Sequence, residues 1–239
     1  MHDSEKKALT VFPPCLIDQV YPEMGLALVA LLNVLGYEVT VREGSSCCGQ
    51  PAFNSGYSEP ARTVARSFCD THQSDGEVLC PSGSCAAMVR VWYPEILEES
   101  AKCNVIEFSE FILREKLGEK ISGKLPGKIA YHASCHTVRE LKVDCSLKEL
   151  FPKIEGFEEV RLAPVCCGFG GLFCARFPEV AGNISTSRIE MAEAQQVDLL
   201  VSNDPGCIMQ LRTQAQKNGS KLRIMHLAEF AAQAMGLLI

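Results

Sequence analysis

The chain is 239 residues long, 47 % apolar and 22 % charged, with a net charge of −6 at neutral pH. That composition fits a globular protein with a real hydrophobic core and excludes a disordered or fibrous chain. With an acidic balance and no basic stripe, nucleic acid is excluded as a partner.

The opening MHDSEKKALTVFPPC mixes charges of both signs, then gives a short apolar run stopped by Pro13 and Pro14, which is not a signal peptide. Within it, ALTVF (8–12) reads as a strand, followed by Cys15. PEMGLALVALLNVLG reads as a helix, with Pro22 in its first turn and Gly36 just past its end. Its near-continuous apolarity predicts burial on most sides. Asn33 interrupts it, however, and it falls short of the roughly 20 residues a membrane helix needs. A cytoplasmic protein with no membrane span is expected. YEVTV (37–41) is the next strand, leading into GSSCCGQPAFNSG with Cys47 and Cys48. EVLC (77–80) precedes PSGSC and Cys85, and NVIEF (104–108) is a fourth strand. The Gly- and Lys-rich LGEKISGKLPGK marks a boundary. Beyond it, KIAYH, EEVRL, DLLVS and RIMHL are strands again, and Cys135, Cys166–Cys167 and Cys207 follow the first three.

The two series repeat each other. KKALTVFPPC aligns with GKIAYHASC, LGYEVTVREGSSCCG with EGFEEVRLAPVCCG, GEVLCPSGSC with VDLLVSNDPGC, and NVIEFSEFI with RIMHLAEFA, each pair about 120 residues apart. The expected fold is therefore α/β: two homologous halves, 1–120 and 128–239, joined by a linker at 121–127. Strands alternating with helices make each half a small parallel sheet flanked by helices.

Thirteen cysteines stand out. Nothing points to secretion, the count is odd, and neighbouring cysteines pair poorly, so metal or redox chemistry is favoured over disulfides. In a parallel sheet the loops after the strands emerge at one edge, where α/β folds build their sites. Cys15, Cys47, Cys48 and Cys85 should therefore converge, and likewise Cys135, Cys166, Cys167 and Cys207. Four thiols per half suit an iron–sulfur cluster, with a four-coordinate zinc site as the alternative. Gly49 and Gly168 would let the backbone turn tightly there. Cys69, Cys103 and Cys145 lack repeat partners and read as core. Cys80, on a strand, also reads as core, and Cys174, aligned with Ser55, as a non-ligand. Asp204 either ligates or caps the turn NDPG. Strand alternation places His132 on the side opposite its neighbours. His136 either donates to a cluster sulfur or bonds backbone, and His226 is expected to bond a neighbouring loop.

No nucleotide fingerprint is present: CCGFGG fails Gly-x-Gly-x-x-Gly at Phe173, and no phosphate loop occurs. Hydride transfer by this chain alone is thereby disfavoured, and no catalytic residue is assigned. The remaining classes are an electron-transfer subunit, a thiol–disulfide reductase, and a zinc protein whose thiolates only hold shape.

The spacing Cys-x31-Cys-Cys-Gly-x35-Cys, with its second copy and the segments CCGQPAFNSGY, PSGSC, YHASCH, CCGFGG and HLAEF, resembles the cysteine-rich CCG domain family. That family includes the cysteine-rich subunit of heterodisulfide reductase and the glycolate oxidase iron–sulfur subunit, and this chain is most similar to its lactate-utilisation branch. The resemblance implies iron–sulfur clusters, of 4Fe-4S type and up to one per half. It also implies electron transfer in a complex oxidising L-lactate to pyruvate, with a ferredoxin-domain iron–sulfur subunit as partner. Heterodisulfide reductase and glycolate oxidase roles are the alternatives. One departure is notable. The heterodisulfide reductase sequences end their motif in Cys-x-x-Cys, whereas here Ser82 and Asp204 replace the first of those cysteines, which disfavours a non-cubane cluster.

Overall fold

The computed structural model describes residues 6–42, 44, 47–98 and 103–237. Two four-stranded sheets carry the chain. Lys7–Val11 (β1), Tyr37–Val41 (β2), Val78–Cys80 (β3) and Val105–Glu107 (β4) form the first, in the order β2-β1-β3-β4. Ser122–His132 (β5), Lys153–Val160 (β6), Leu199–Ser202 (β7) and Arg223–His226 (β8) form the second, in the order β6-β5-β7-β8. All neighbours within each sheet run parallel. Each half thus repeats one topology, and all eight strand segments read from the sequence are strands.

Two local readings differ. Residues 122–127, assigned to the linker, are the first part of β5 and pair with β6 across a register shift between Lys124 and Gly127. Leu125 is buried there, and Gly123 backs onto the Ala234 carbonyl, so this stretch is packed as well as paired. Pro126, which has no N–H to give a ladder, falls at the irregularity. The second difference concerns the helix Pro22–Val34. It begins on Pro22 and ends before Gly36 at φ +90°, as its sequence dictates. It buries one face, Met24, Ala27, Leu28, Leu31 and Leu32, while Leu26 and Val34 are exposed.

The largest core is shared by the two halves. Leu9, Leu28, Leu31 and Phe111 from the first sit in one cluster with Leu150, Phe151 and Phe230 from the second. The helices Pro22–Val34 and Leu227–Ala234 pack directly together. Because neither half closes this core by itself, the two sheets have a fixed mutual orientation. Among the described residues no helix is long and apolar enough to cross a membrane.

Candidate metal centre

In the first half the loops after β1, β2 and β3 bring four thiols beside one another, Cys15 next to Cys47, Cys47 next to Cys48 and Cys48 next to Cys85. The second half does the same with Cys135, Cys166, Cys167 and Cys207. The cysteines expected from the sequence thus lie beside one another in each half, and among the described residues the group of three within 4.8 Å is His132, Cys167 and Cys207. In each set the inner pair is buried, Cys48 with Cys85 and Cys167 with Cys207. Cys15, Cys47 and Cys135 are partly open and Cys166 is exposed.

The loop glycines take positive φ, +81° at Gly49 and +85° at Gly168, a region that favours a residue without Cβ. Their amides donate to Cys47 Sγ and Cys166 Sγ, each at 3.3 Å. What the missing Cβ makes room for is the following helix: at Gly168 it would meet the Ala181 carbonyl at 2.5 Å. Each loop is held again beneath its cysteines, where Tyr93 Oη, from the helix Tyr93–Leu97, donates to the Cys48 carbonyl and Ser185 Oγ, from the helix Pro178–Ala194, to the Cys167 carbonyl, each at 2.9 Å. Hydrogen bonds from Cys15, then Cys48, hold the Cys47 thiol far down, to about 2. Those from Cys135, then Cys167, do the same for Cys166. The matching donors, Cys15 and Cys135, are pushed up by the same bonds and by burial. In each set the neighbouring thiols thus favour the charged form of the middle cysteine, and the thiolate is the form that binds metal.

Cys85 and Cys207 open two helices that meet nose to nose at the junction of the halves. Asp204 caps its own helix, Oδ1 accepting from Gly206 N at 3.0 Å and Cys207 N at 3.2 Å. Its Oδ2 crosses to the other half and accepts from Ser84 N at 2.8 Å and Ser82 Oγ at 3.1 Å. Of the two readings left open for Asp204, these bonds favour the cap, and they tie the two cysteine-bearing helices together. Ser82 caps the helix Gly83–Ala87 in the equivalent way, through Cys85 N. Gly83 is required by closeness, since a Cβ would lie 1.8 Å from Thr137 Oγ1.

The second set has an addition. A His132 ring nitrogen, Cys167 Sγ and Cys207 Sγ lie within 4.8 Å of one another, all buried. His132 Nε2 has no hydrogen-bond partner, and neither has Arg188 Nε. Burial, then the Arg188 charge, pushes His132 down to about 3, so its imidazole is neutral. A cavity of about 570 Å³ opens beside this set, lined by Cys135, Cys166, His132 and Arg188 among others. Soft sulfur donors from three loops and an orphaned imidazole nitrogen fit a metal or a metal cluster.

The remaining residues fall elsewhere. His136 pairs with Glu140 at 2.9 Å, so the histidine at the site is His132. His226 bonds the Pro81 carbonyl of the neighbouring loop at 3.1 Å, as expected. Cys69 and Cys103 face each other with sulfurs 2.8 Å apart. Cys80 is in the core, Cys145 packs against the shared core, and Cys174 donates to the Gly171 carbonyl. Arg188, Tyr93 and Ser185 were not anticipated. The signal for Arg188 was present, as a charged residue on the buried face of a helix.

The cysteine-rich domain of the CCG family matches the chain twice, over residues 9–90 and 129–212. The chain is 35 % identical to Lactate utilization protein A of Exiguobacterium sp. over 235 residues, covering 92 % of this chain and 95 % of that protein. It is 36 % identical to Lactate utilization protein A of Geobacillus thermodenitrificans over 232 residues, covering 92 % and 97 %. A crystal structure of a hypothetical protein from Helicobacter pylori shares the fold, with a TM-score of 0.66 at 10 % identity. That match spans 98 % of this chain and 50 % of the other. By its two domain matches and its relatives, the chain belongs to the CCG cysteine-rich domain family and, within it, to the family of Lactate utilization protein A.

Proposed function

We propose that the protein is an iron–sulfur electron-transfer subunit of a complex that oxidises L-lactate to pyruvate. The observation that carries this reading is the doubled set of four neighbouring thiols, each drawn from three loops at one sheet edge, with a glycine amide donating to one sulfur of each set. The relatives named for lactate utilization support the substrate. In this reading Cys15, Cys47, Cys48 and Cys85 hold one 4Fe-4S cluster, and Cys135, Cys166, Cys167 and Cys207 hold another. Such a cluster supplies reversible one-electron storage. The chain's own residues do the rest. The Gly49 and Gly168 amides donate to ligand sulfurs, and Asp204 and Ser82 fix the helices that present Cys207 and Cys85. The expected partner is a subunit with ferredoxin-type clusters, which would exchange electrons with the two centres across the open rim.

Anaerobic purification with iron and acid-labile sulfide analysis tests the reading. Both elements should be present, and Cys48→Ser or Cys167→Ser should each remove about half of them. Cys69→Ser should leave both unchanged. Zinc without sulfide would overturn the electron-transfer role and assign a structural site, for which the close trio of His132, Cys167 and Cys207 is a suitable core.

A further inference from the structure

The repeat aligns β1 with β5, and the helix Ser58–His72 with Pro178–Ala194. The register of these helices is set by Ala61 and Ala181, whose carbonyls lie against Gly49 and Gly168. In this register Phe12 stands where His132 does, and Phe68 where Arg188 does. The first half fills the two positions with rings meeting edge-on, centroids 4.9 Å apart, both buried. The second half fills them with an imidazole 4 % exposed and a guanidinium 2 % exposed.

Both second-half side chains leave a buried nitrogen unused. Arg188 Nη1 donates to the Ala163 carbonyl at 2.6 Å, but Nε has no partner, and among the described residues no carboxylate forms a salt bridge with the guanidinium. His132 Nε2 is likewise unpartnered. The third such atom among the described residues is Tyr131 Oη, which belongs to the neighbouring residue on β5 and so to the opposite face. A buried guanidinium without a counter-charge is costly. Arg188 lines the same cavity as His132, Cys135 and Cys166. The natural counter-ion is therefore the thiolate-bound centre.

We infer that Arg188 and His132 are tuning residues of the second-half centre, a fixed positive charge and a hydrogen-bond donor, and that they make it the higher-potential member of the pair. This rests on the iron–sulfur reading above. Reduction adds one negative charge to a centre. A nearby cation and an N–H donor stabilise that charge, whereas a dry phenyl pair does not. With both centres in place, one electron held by the first-half centre would pass to the second. The first would be oxidised by one electron and the second reduced by one, with no bond or proton changing place.

The test uses two full-length proteins with all other residues natural, Cys48→Ser/Cys85→Ser and Cys167→Ser/Cys207→Ser, each left with one centre. They are titrated anaerobically against redox mediators with electron paramagnetic resonance as the readout. The protein retaining the second-half centre should titrate at the higher potential. In that protein Arg188→Met and His132→Phe should each lower the potential, and Arg188→Lys should restore most of the Arg188 effect. Equal potentials or the reverse order, with iron and sulfide present in both, overturn the inference while sparing the iron–sulfur reading. An unshifted Arg188→Met variant of full iron content does so too. Absence of iron and sulfide from both proteins removes the reading and the inference together, and elemental analysis shows this before any titration.

Discussion

Glu107 ends β4 fully buried, where its carboxylate accepts from Ser109 N at 2.8 Å and Glu110 N at 3.2 Å, and from Asn203 Nδ2 of the other half at 3.0 Å. Burial outweighs these bonds and lifts its pKa to about 7. The folded protein therefore holds this proton across a range in which the unfolded chain has lost it. The resulting stabilisation is complete below about pH 4.5 and is lost as pH rises through 7. Urea unfolding at pH 5 and pH 8 should show the wild type losing about 2.5 kcal/mol from this group, and Glu107→Gln should lose much less. An equal loss in both proteins would remove Glu107 as the cause. In the repeat this position is His226, which caps the helix Leu227–Ala234 with an imidazole pushed down to about 4 by burial. Capping is thus preserved between the halves while the sign of the titrating group is not.

At the scale of elements, the two short helix starts at Cys85 and Cys207 matter most, because one carboxylate serves both. Asp204→Ala removes the cap from the helix Pro205–Lys217 and leaves Ser84 N without its acceptor. A lost cap costs about 1 kcal/mol and an unsatisfied buried donor about as much again. Urea denaturation should therefore show a loss of about 2–3 kcal/mol. A loss below 0.5 kcal/mol, on the order of an exposed surface change, would mean that Asp204 is not the tie. Much of this architecture was legible in the sequence. β-branched runs such as YEVTV and DLLVS announced strands, Pro22 and Gly36 bracketed a helix, and the doubled Cys-Cys-Gly marked the two loops where thiols lie side by side. His132 was harder. Alternation showed that it faced away from its neighbours, but only the packed helix Pro178–Ala194 shows what it faces. Residues 122–127 looked like a linker because Gly123, Pro126 and Gly127 weaken a strand, and their pairing depends on β6, some thirty residues further along.

For the whole molecule, the shared core implies a single folding unit. The chain's one tryptophan, Trp92, belongs to the first half and donates through its indole nitrogen to Glu140 of the second at 3.1 Å. In metal-free protein, tryptophan fluorescence and far-ultraviolet circular dichroism should report one coincident unfolding transition. Two separated transitions would mean that each half folds alone.

The passage from one half to the other, a single turn at Leu117–Lys120 running straight into β5, has a kinetic consequence. No slack tether lies between the sheets, so the span between the two sets of thiols is set when the chain folds and does not change as domains diffuse. Transfer between two centres mounted on such a frame would be indifferent to the viscosity of the medium, and only exchange with a separate protein would feel it.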